Sequence, residues 1–106
     1  SDNELSFNMV KLYEFNDIDT IGHLSLILKD FYNGNNSIYK DEFEHKYYLV
    51  LNKDHHTPEE FNKTCNILSE YGTQKQYTLG AEEFFKEHYT IITENNGIQL
   101  FASINS

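Results

Sequence analysis

Residues 57–60, Thr-Pro-Glu-Glu, constrain the fold more than any other segment, because they combine three signals for the start of a helix. Threonine is a preferred N-cap residue, proline fits the first helical position, and glutamate at the third position completes a capping box. The apolar residues that follow are at helical spacing: Phe61, Cys65, Leu68 and Tyr71. The sequence therefore predicts an amphipathic helix that ends at Gly72.

A second amphipathic helix is predicted nearer the N-terminus. Asp17 and Asp19 offer side-chain oxygens and negative charge for a helix N-terminus. The apolar residues of this helix are Ile21, Leu24, Leu28 and Phe31. Residues 33–36, Asn-Gly-Asn-Asn, tolerate the left-handed conformation, so we expect them to end the helix.

Strands are predicted on either side of these helices, at residues 7–15, 37–40, 45–52 and 75–79. A charged bend at residues 41–44 joins the middle two segments into a hairpin. Two helices that alternate with a hairpin indicate an α+β fold, a two-layer sandwich of a mainly antiparallel sheet with helices packed on one face. Further along, residues 81–87 have helical composition, residues 89–93 are β-branched, and residues 98–104 fit either a strand or a short helix.

The length of 106 residues fits one domain. We expect residues 1–6 to be a disordered remnant or linker and residues 7–106 to form a single domain. The formal charge of -9 disfavours nucleic acid and anionic membranes and favours basic partners. The lone cysteine, Cys65, excludes an intrachain disulfide and is consistent with a cytoplasmic protein.

No set of residues in the sequence points to catalysis. Residues 54–56, Asp-His-His, are the best metal candidate, with His45 and Glu59 as further donors. They lack the spacing of a ligand set, so we expect no metal and no cofactor. Cys65 lies on an apolar helix face and is expected to pack in the core. The sequence therefore predicts a protein that is not an enzyme.

The tyrosines instead favour a binding role. Five of them are more than so small a core can hide: Tyr47, Tyr48, Tyr71, Tyr77 and Tyr89. Tyrosine is enriched in protein interfaces because it combines apolar area with a hydroxyl group. Ordinary strand packing is the alternative for each of them. We expect docking onto another protein, with a homodimer as a further option.

Three segments of the sequence resemble the C-terminal domain of MecA-like adaptor proteins. They are residues 15–25, Phe-Asn-Asp-Ile-Asp-Thr-Ile and on to Leu-Ser; residues 46–51, Lys-Tyr-Tyr-Leu-Val-Leu; and residues 57–73, from Thr-Pro-Glu-Glu to Leu-Ser-Glu-Tyr-Gly-Thr. Their order and spacing cover roughly residues 8–104. The resemblance implies a strand at residues 89–93 and a C-terminal helix at residues 94–104.

The resemblance also implies a function. Such a domain engages the AAA+ unfoldase ClpC, promotes its assembly and activation, and helps deliver substrates such as competence regulators to ClpC–ClpP proteolysis. The matching contact positions are Glu70, Thr73, Glu82 and Glu83. We interpret the three acids as residues that no helix cap requires. A ferredoxin-like ligand-sensing or regulatory domain is the alternative, and it predicts a pocket with convergent polar groups.

Overall fold

The structure, a computed structural model, describes residues 10–28, 36–52 and 57–94. Five strands are present in these ranges: β1 (Val10–Phe15), β2 (Asn36–Asp41), β3 (Lys46–Asn52), β4 (Thr73–Lys75) and β5 (Thr90–Thr93). The helices in these ranges are α1 (Ile18–Leu28), α2 (Pro58–Tyr71) and α3 (Ala81–His88). No helix in the described ranges is long and apolar enough to cross a membrane.

The strands form one sheet in the order β4-β1-β3-β2-β5, and every pairing is antiparallel. The first six elements follow the order of a ferredoxin-like βαββαβ unit, and β5 extends its sheet beside β2. The predicted α+β fold with a mainly antiparallel sheet is confirmed. Strand β3 lies at the centre of the sheet, in agreement with the apolar residues on both of its faces.

Helices α1 and α2 pack together on one face of the sheet, as predicted. Tyr13 and Phe15 point to this face from β1, two residues apart, because side chains alternate along a strand. The other buried residues of this core are Ile21, Leu24, Leu28, Ile38, Leu49, Leu51, Phe61 and Leu68. Burying each large apolar side chain stabilises the fold by about 1.5–3 kcal/mol.

The third helix, α3, packs against the opposite face of the sheet, which the sequence had not indicated. Its buried residue is Phe85, and it joins Leu12, Tyr39 and Val50 in a second core cluster. These three strand residues have the opposite parity to the first core. Helices therefore pack on both faces of the sheet, and the helix on the second face, α3, has eight residues.

The ends of the predicted helices follow their capping signals. The Thr57 hydroxyl accepts a hydrogen bond from the Glu60 amide, at 3.2 Å, and Pro58 opens α2. Asp17 Oδ1 accepts hydrogen bonds from the Thr20 amide and hydroxyl, both at 2.8 Å. These bonds satisfy donors that the first helical turn leaves without intrahelical partners. The two hydrogen bonds from Thr20 also lower the pKa of the Asp17 carboxyl.

Gly72 ends α2, as predicted, and its position leaves no room for a side chain. Its backbone is extended, with φ −130°, so the conformation itself does not require glycine. A Cβ atom here would lie 2.5 Å from Cε1 of Phe15 and 2.9 Å from the carbonyl oxygen of Glu14. Close contact between the end of α2 and β1 is therefore what selects glycine.

Some predicted boundaries were wrong. The strand expected at residues 75–79 is Thr73–Lys75 instead, and Leu79 and Gly80 form a turn. His45, placed at a strand start, is in the left-handed region with φ 56°, and β3 begins at Lys46. Asn36, assigned to the end of the first helix, begins β2 and is buried. The predictions for residues 1–9, 29–35, 53–56 and 95–106 concern positions outside the described residues.

Candidate docking surface

An aromatic cluster holds α3 on the second face of the sheet. The ring of Phe85 lies 5.2 Å from the rings of Tyr48 and Tyr89 and 5.5 Å from that of Tyr39, measured between centroids. Tyr48 and Tyr89 stack almost in parallel, at 5.4 Å and 7°. Such stacks contribute about 0.5–1.5 kcal/mol per pair beyond area burial. The position of α3 is therefore fixed by ring packing.

Carboxylates hold the hydroxyl groups of this cluster. Tyr39 donates a hydrogen bond to Glu82 Oε2 at 2.9 Å, and Tyr48 donates one to Glu14 Oε2 at 3.1 Å. Burial, followed by the adjacent carboxylate, raises the pKa of both tyrosines. Burial and then the Asp41 carboxylate raise the pKa of Tyr89. The second face therefore combines an apolar floor with hydroxyl groups of fixed orientation.

These raised pKa values predict a loss of stability in alkali. Folding favours the neutral form of each tyrosine, because its pKa is higher in the folded than in the unfolded state. This stabilisation is complete below the unfolded pKa of about 10 and is lost as pH rises through the folded-state pKa values. Tyr13, in the first core, has its pKa raised by burial to about 12. We expect the denaturant midpoint to fall steadily above about pH 10, with tyrosinate absorbance that rises on unfolding. A midpoint that stays constant across this range would contradict the expectation.

A groove of about 440 Å³ opens between α3 and the segment that precedes it. Its floor is aromatic and aliphatic, and its lining residues are Leu12, Tyr48, Lys75, Gln76, Thr78, Leu79, Gly80, Ala81, Phe84, Phe85 and Tyr89. Two apolar side chains at its mouth are exposed to solvent: Leu79 by 88% and Phe84 by 50%. A second groove of about 430 Å³ lies along residues 10–11 and 74–79.

A tight turn sets the position of Leu79. The Ala81 amide donates to the Thr78 carbonyl at 3.1 Å, and Gly80 has φ 85° and ψ 1°. These are the values of the third residue of a type II turn, a position that favours glycine. Leu79 is the second residue of the turn, at its corner. Its exposure is therefore a consequence of local backbone geometry.

The four predicted contact residues lie in two places. Glu70 is exposed in the last turn of α2, which has no basic residue. Thr73 begins the edge strand β4, opposite Glu14. Glu82 and Glu83 open α3, which lies on the face of the sheet opposite α2. The structure therefore does not gather the four residues into one cluster.

The Glu82–Glu83 pair, interpreted above as acids that no helix cap requires, does have a structural role at the start of α3. Both residues lie in the first turn of α3, where negative charge interacts favourably with the helix dipole. Glu82 also accepts the hydrogen bond from Tyr39. The helical composition of residues 81–87 indicated the helix, but its N-cap, Gly80, has no capping side chain, and the sequence could not show a hydrogen bond between residues 43 positions apart. Glu83 is exposed, and Glu70 keeps its unfavourable position at a helix C-terminus.

The remaining chemical candidates have little support. The described ranges contain no group of three or more potential metal ligands, and residues 54–56 lie outside these ranges. Cys65 packs against the first core, as predicted, and burial raises the pKa of its thiol. A thiol with a raised pKa has little thiolate at neutral pH and is a poor nucleophile.

Sequence reasoning missed the two exposed apolar side chains of the groove. Leu79 was assigned to a strand, although the glycine that follows it is a turn signal. Phe84 and Phe85 are adjacent in a short helix, so they point about 100° apart and cannot both face the sheet. That spacing was a readable sign that one aromatic ring stays exposed.

The fold is that of a small α+β domain. Its surface carries exposed apolar side chains beside a shallow groove. The chain belongs to the MecA family: the family model described as negative regulator of genetic competence (MecA) matches residues 1–101. A comparison with curated protein sequences finds no significant match.

Three solved structures share the fold over most of their length. The crystal structure of the C-terminal domain of MecA has a TM-score of 0.74 and 19% identity, and the match covers 92% of this chain and 99% of that one. The C-terminal domain of YpbH gives 0.71 and 19%, over 89% and 96%. A chain of the MecA-ClpC complex studied by cryo-EM gives 0.70 and 19%, over 92% and 97%. At this identity the similarity establishes a common fold.

Proposed function

We propose that this domain is a non-catalytic adaptor that docks onto a ClpC-type AAA+ unfoldase. One observation carries the proposal: a member of the MecA family shares its fold over 92% of its length with a chain of the MecA-ClpC complex. Docking alone accounts for the delivery of cargo to the unfoldase. A bound adaptor raises the effective concentration of its cargo at the unfoldase, without any chemistry of its own.

Assembly of the unfoldase follows from the same binding. If the domain binds the assembled unfoldase more tightly than separate subunits, mass action shifts the equilibrium toward the assembly. Regulated proteolysis by the associated ClpP-type protease then depends on adaptor concentration. The place of action is the cytoplasm, where such unfoldases work on folded regulators, including those of competence.

The charge of the chain supports a basic docking partner. A net charge of -9 accelerates the encounter with a basic surface and makes the encounter sensitive to salt. We assign two points of contact: the exposed Glu70 with Thr73 at the end of α2, and the exposed Glu83 with Glu82 at the start of α3. Glu82 acts through the position of α3 as well, because Tyr39 holds it.

The proposal is tested by the ATPase rate of the unfoldase. We expect the purified domain to raise the ATPase rate of a ClpC-type unfoldase and to shift it toward the assembled form in sedimentation. An unfoldase that keeps its basal rate and assembly state at saturating domain concentrations would refute the proposed role.

Charge reversal at the contact provides a sharper test. Glu70→Lys and Glu83→Lys are each expected to weaken unfoldase binding by about 3- to 30-fold, mainly through slower association, because rim charges steer encounter. Glu59→Lys is the matched control. Glu59 is also exposed, but it lies in the first turn of α2, at the other end of the helix from Glu70. The measurement is surface-based binding kinetics at two salt concentrations. An equal loss for Glu59→Lys would indicate net charge alone and contradict the assigned contact.

A further inference from the structure

We propose that the groove between α3 and residues 75–80 is the site where the unfoldase inserts an apolar side chain, with Leu79 and Phe84 as the anchors of the contact. This inference rests on the proposed function and names the surface and the partner chemistry for it. The occupant is a segment of the unfoldase that carries a large apolar side chain flanked by lysine or arginine.

The mouth of the groove presents apolar side chains whose backbone is already ordered before a partner binds. Leu79 is 88% exposed at the corner of a turn that Gly80 and the Thr78–Ala81 hydrogen bond define. Because the turn fixes its backbone, Leu79 loses little freedom on binding. Phe84, 50% exposed, borders the same groove from α3 and packs edge-to-face on Tyr89 at 5.7 Å.

The floor of the groove is formed before any partner binds. Phe85, Tyr48 and Tyr89 stack on one another, and Glu14 holds the hydroxyl of Tyr48. A volume of about 440 Å³ is large enough to admit a leucine, methionine or phenylalanine side chain. Binding hot spots cluster in well-packed pockets that the partner's side chain fills and desolvates.

The exposed carboxylates of α3 favour a basic segment, although Lys75 also lines the groove. Glu83 and Glu87 lie one turn apart on the exposed surface of α3. Neither carboxylate forms an ion pair with a residue in the described ranges. Like charges at this spacing repel each other, and a lysine or arginine of a partner would relieve the repulsion. A second copy of this chain, also at -9, is a poor occupant on the same ground.

The test compares Leu79→Ser and Phe84→Ala with Phe43→Ser in binding to a purified ClpC-type unfoldase. Phe43 is the matched control, because it is 94% exposed and lies in the β2–β3 turn, outside the groove. We expect Kd to rise about tenfold or more for Leu79→Ser and Phe84→Ala, and to stay within about twofold for Phe43→Ser. Circular dichroism establishes that each variant is folded, and Leu79, being exposed, is not needed for folding.

The outcomes separate the groove from the function. If the wild-type domain binds and both groove variants bind equally well, the groove assignment is overturned and the adaptor role stands. If Phe43→Ser weakens binding as much as Leu79→Ser, the contact is unspecific and the assignment also falls. Loss of self-association or of cargo binding by the groove variants, with unchanged unfoldase binding, assigns the groove to another occupant. If the wild-type domain does not bind, both proposals fail.

Discussion

Replacement of Phe85 by alanine is expected to lower the free energy of unfolding by about 3–5 kcal/mol, the range for truncation of a buried phenylalanine. Phe85 is 7% exposed and is the buried residue of α3. Its ring contacts three tyrosines: Tyr39 from β2, Tyr48 from β3, and Tyr89, the residue that follows α3. The variant loses these contacts and leaves a cavity, so α3 loses its attachment to the sheet. Urea denaturation followed by circular dichroism measures the change.

The neighbouring phenylalanine is the control for this prediction. Phe84→Ala removes the same number of atoms from the same helix, but the ring is half exposed. We expect a cost of about 1.5 kcal/mol or less, in proportion to the smaller area that the ring buries. Equal costs for the two variants would contradict the account of how α3 is held.

Gly72→Ala is expected to cost about 1–3 kcal/mol, the range for forcing atoms into a packed region. The added Cβ would lie 2.5 Å from the ring of Phe15, which is buried, and 2.9 Å from the Glu14 carbonyl oxygen. Neither group moves freely, because one is packed in the first core and the other belongs to β1. Denaturant unfolding measures the loss, and we expect α2 and β4 to separate from β1 by a small displacement.

Gly80 is the matched control for Gly72. No atom lies within 4 Å of a Cβ built at Gly80, but its φ of 85° is unfavourable for other residues. Gly80→Ala should therefore cost about 1 kcal/mol, and Gly80→Asn less, because asparagine tolerates this conformation. At Gly72 alanine and asparagine should both be costly. If Gly72→Ala were neutral, the close approach of α2 to β1 would not be the reason for this glycine.

The local signals in the sequence predicted the elements that they start or end. Thr57 and Asp17 accept the expected capping hydrogen bonds, and the alternation in β1 and β3 divides their side chains between the two cores. Gly72 ends α2, but the reason is a contact with Phe15, far away in sequence. A tertiary contact of this kind leaves no trace in the local pattern. The same applies to α3, whose place on the second face depends on rings from β2 and β3.

The candidate surface was only partly predictable, for a related physical reason. The contact positions were taken from the resemblance, and Glu70 does lie in the last turn of α2, where its charge opposes the helix dipole. Glu82 was interpreted as an acid that no cap requires, whereas it lies in the first turn of α3 and accepts a hydrogen bond from Tyr39. The exposure of Leu79 depends on a turn at Gly80 and could only have been read from the turn signal.

The most direct test of the account is a binding isotherm of the purified domain with a ClpC-type unfoldase at low and at high salt. The account predicts saturable binding that weakens as salt screens the acidic surface, with a further loss for Leu79→Ser at both salt concentrations. The two effects should be independent, because the anchor is apolar and the steering is electrostatic. Absence of binding by the folded wild-type domain at low salt would contradict the central claim.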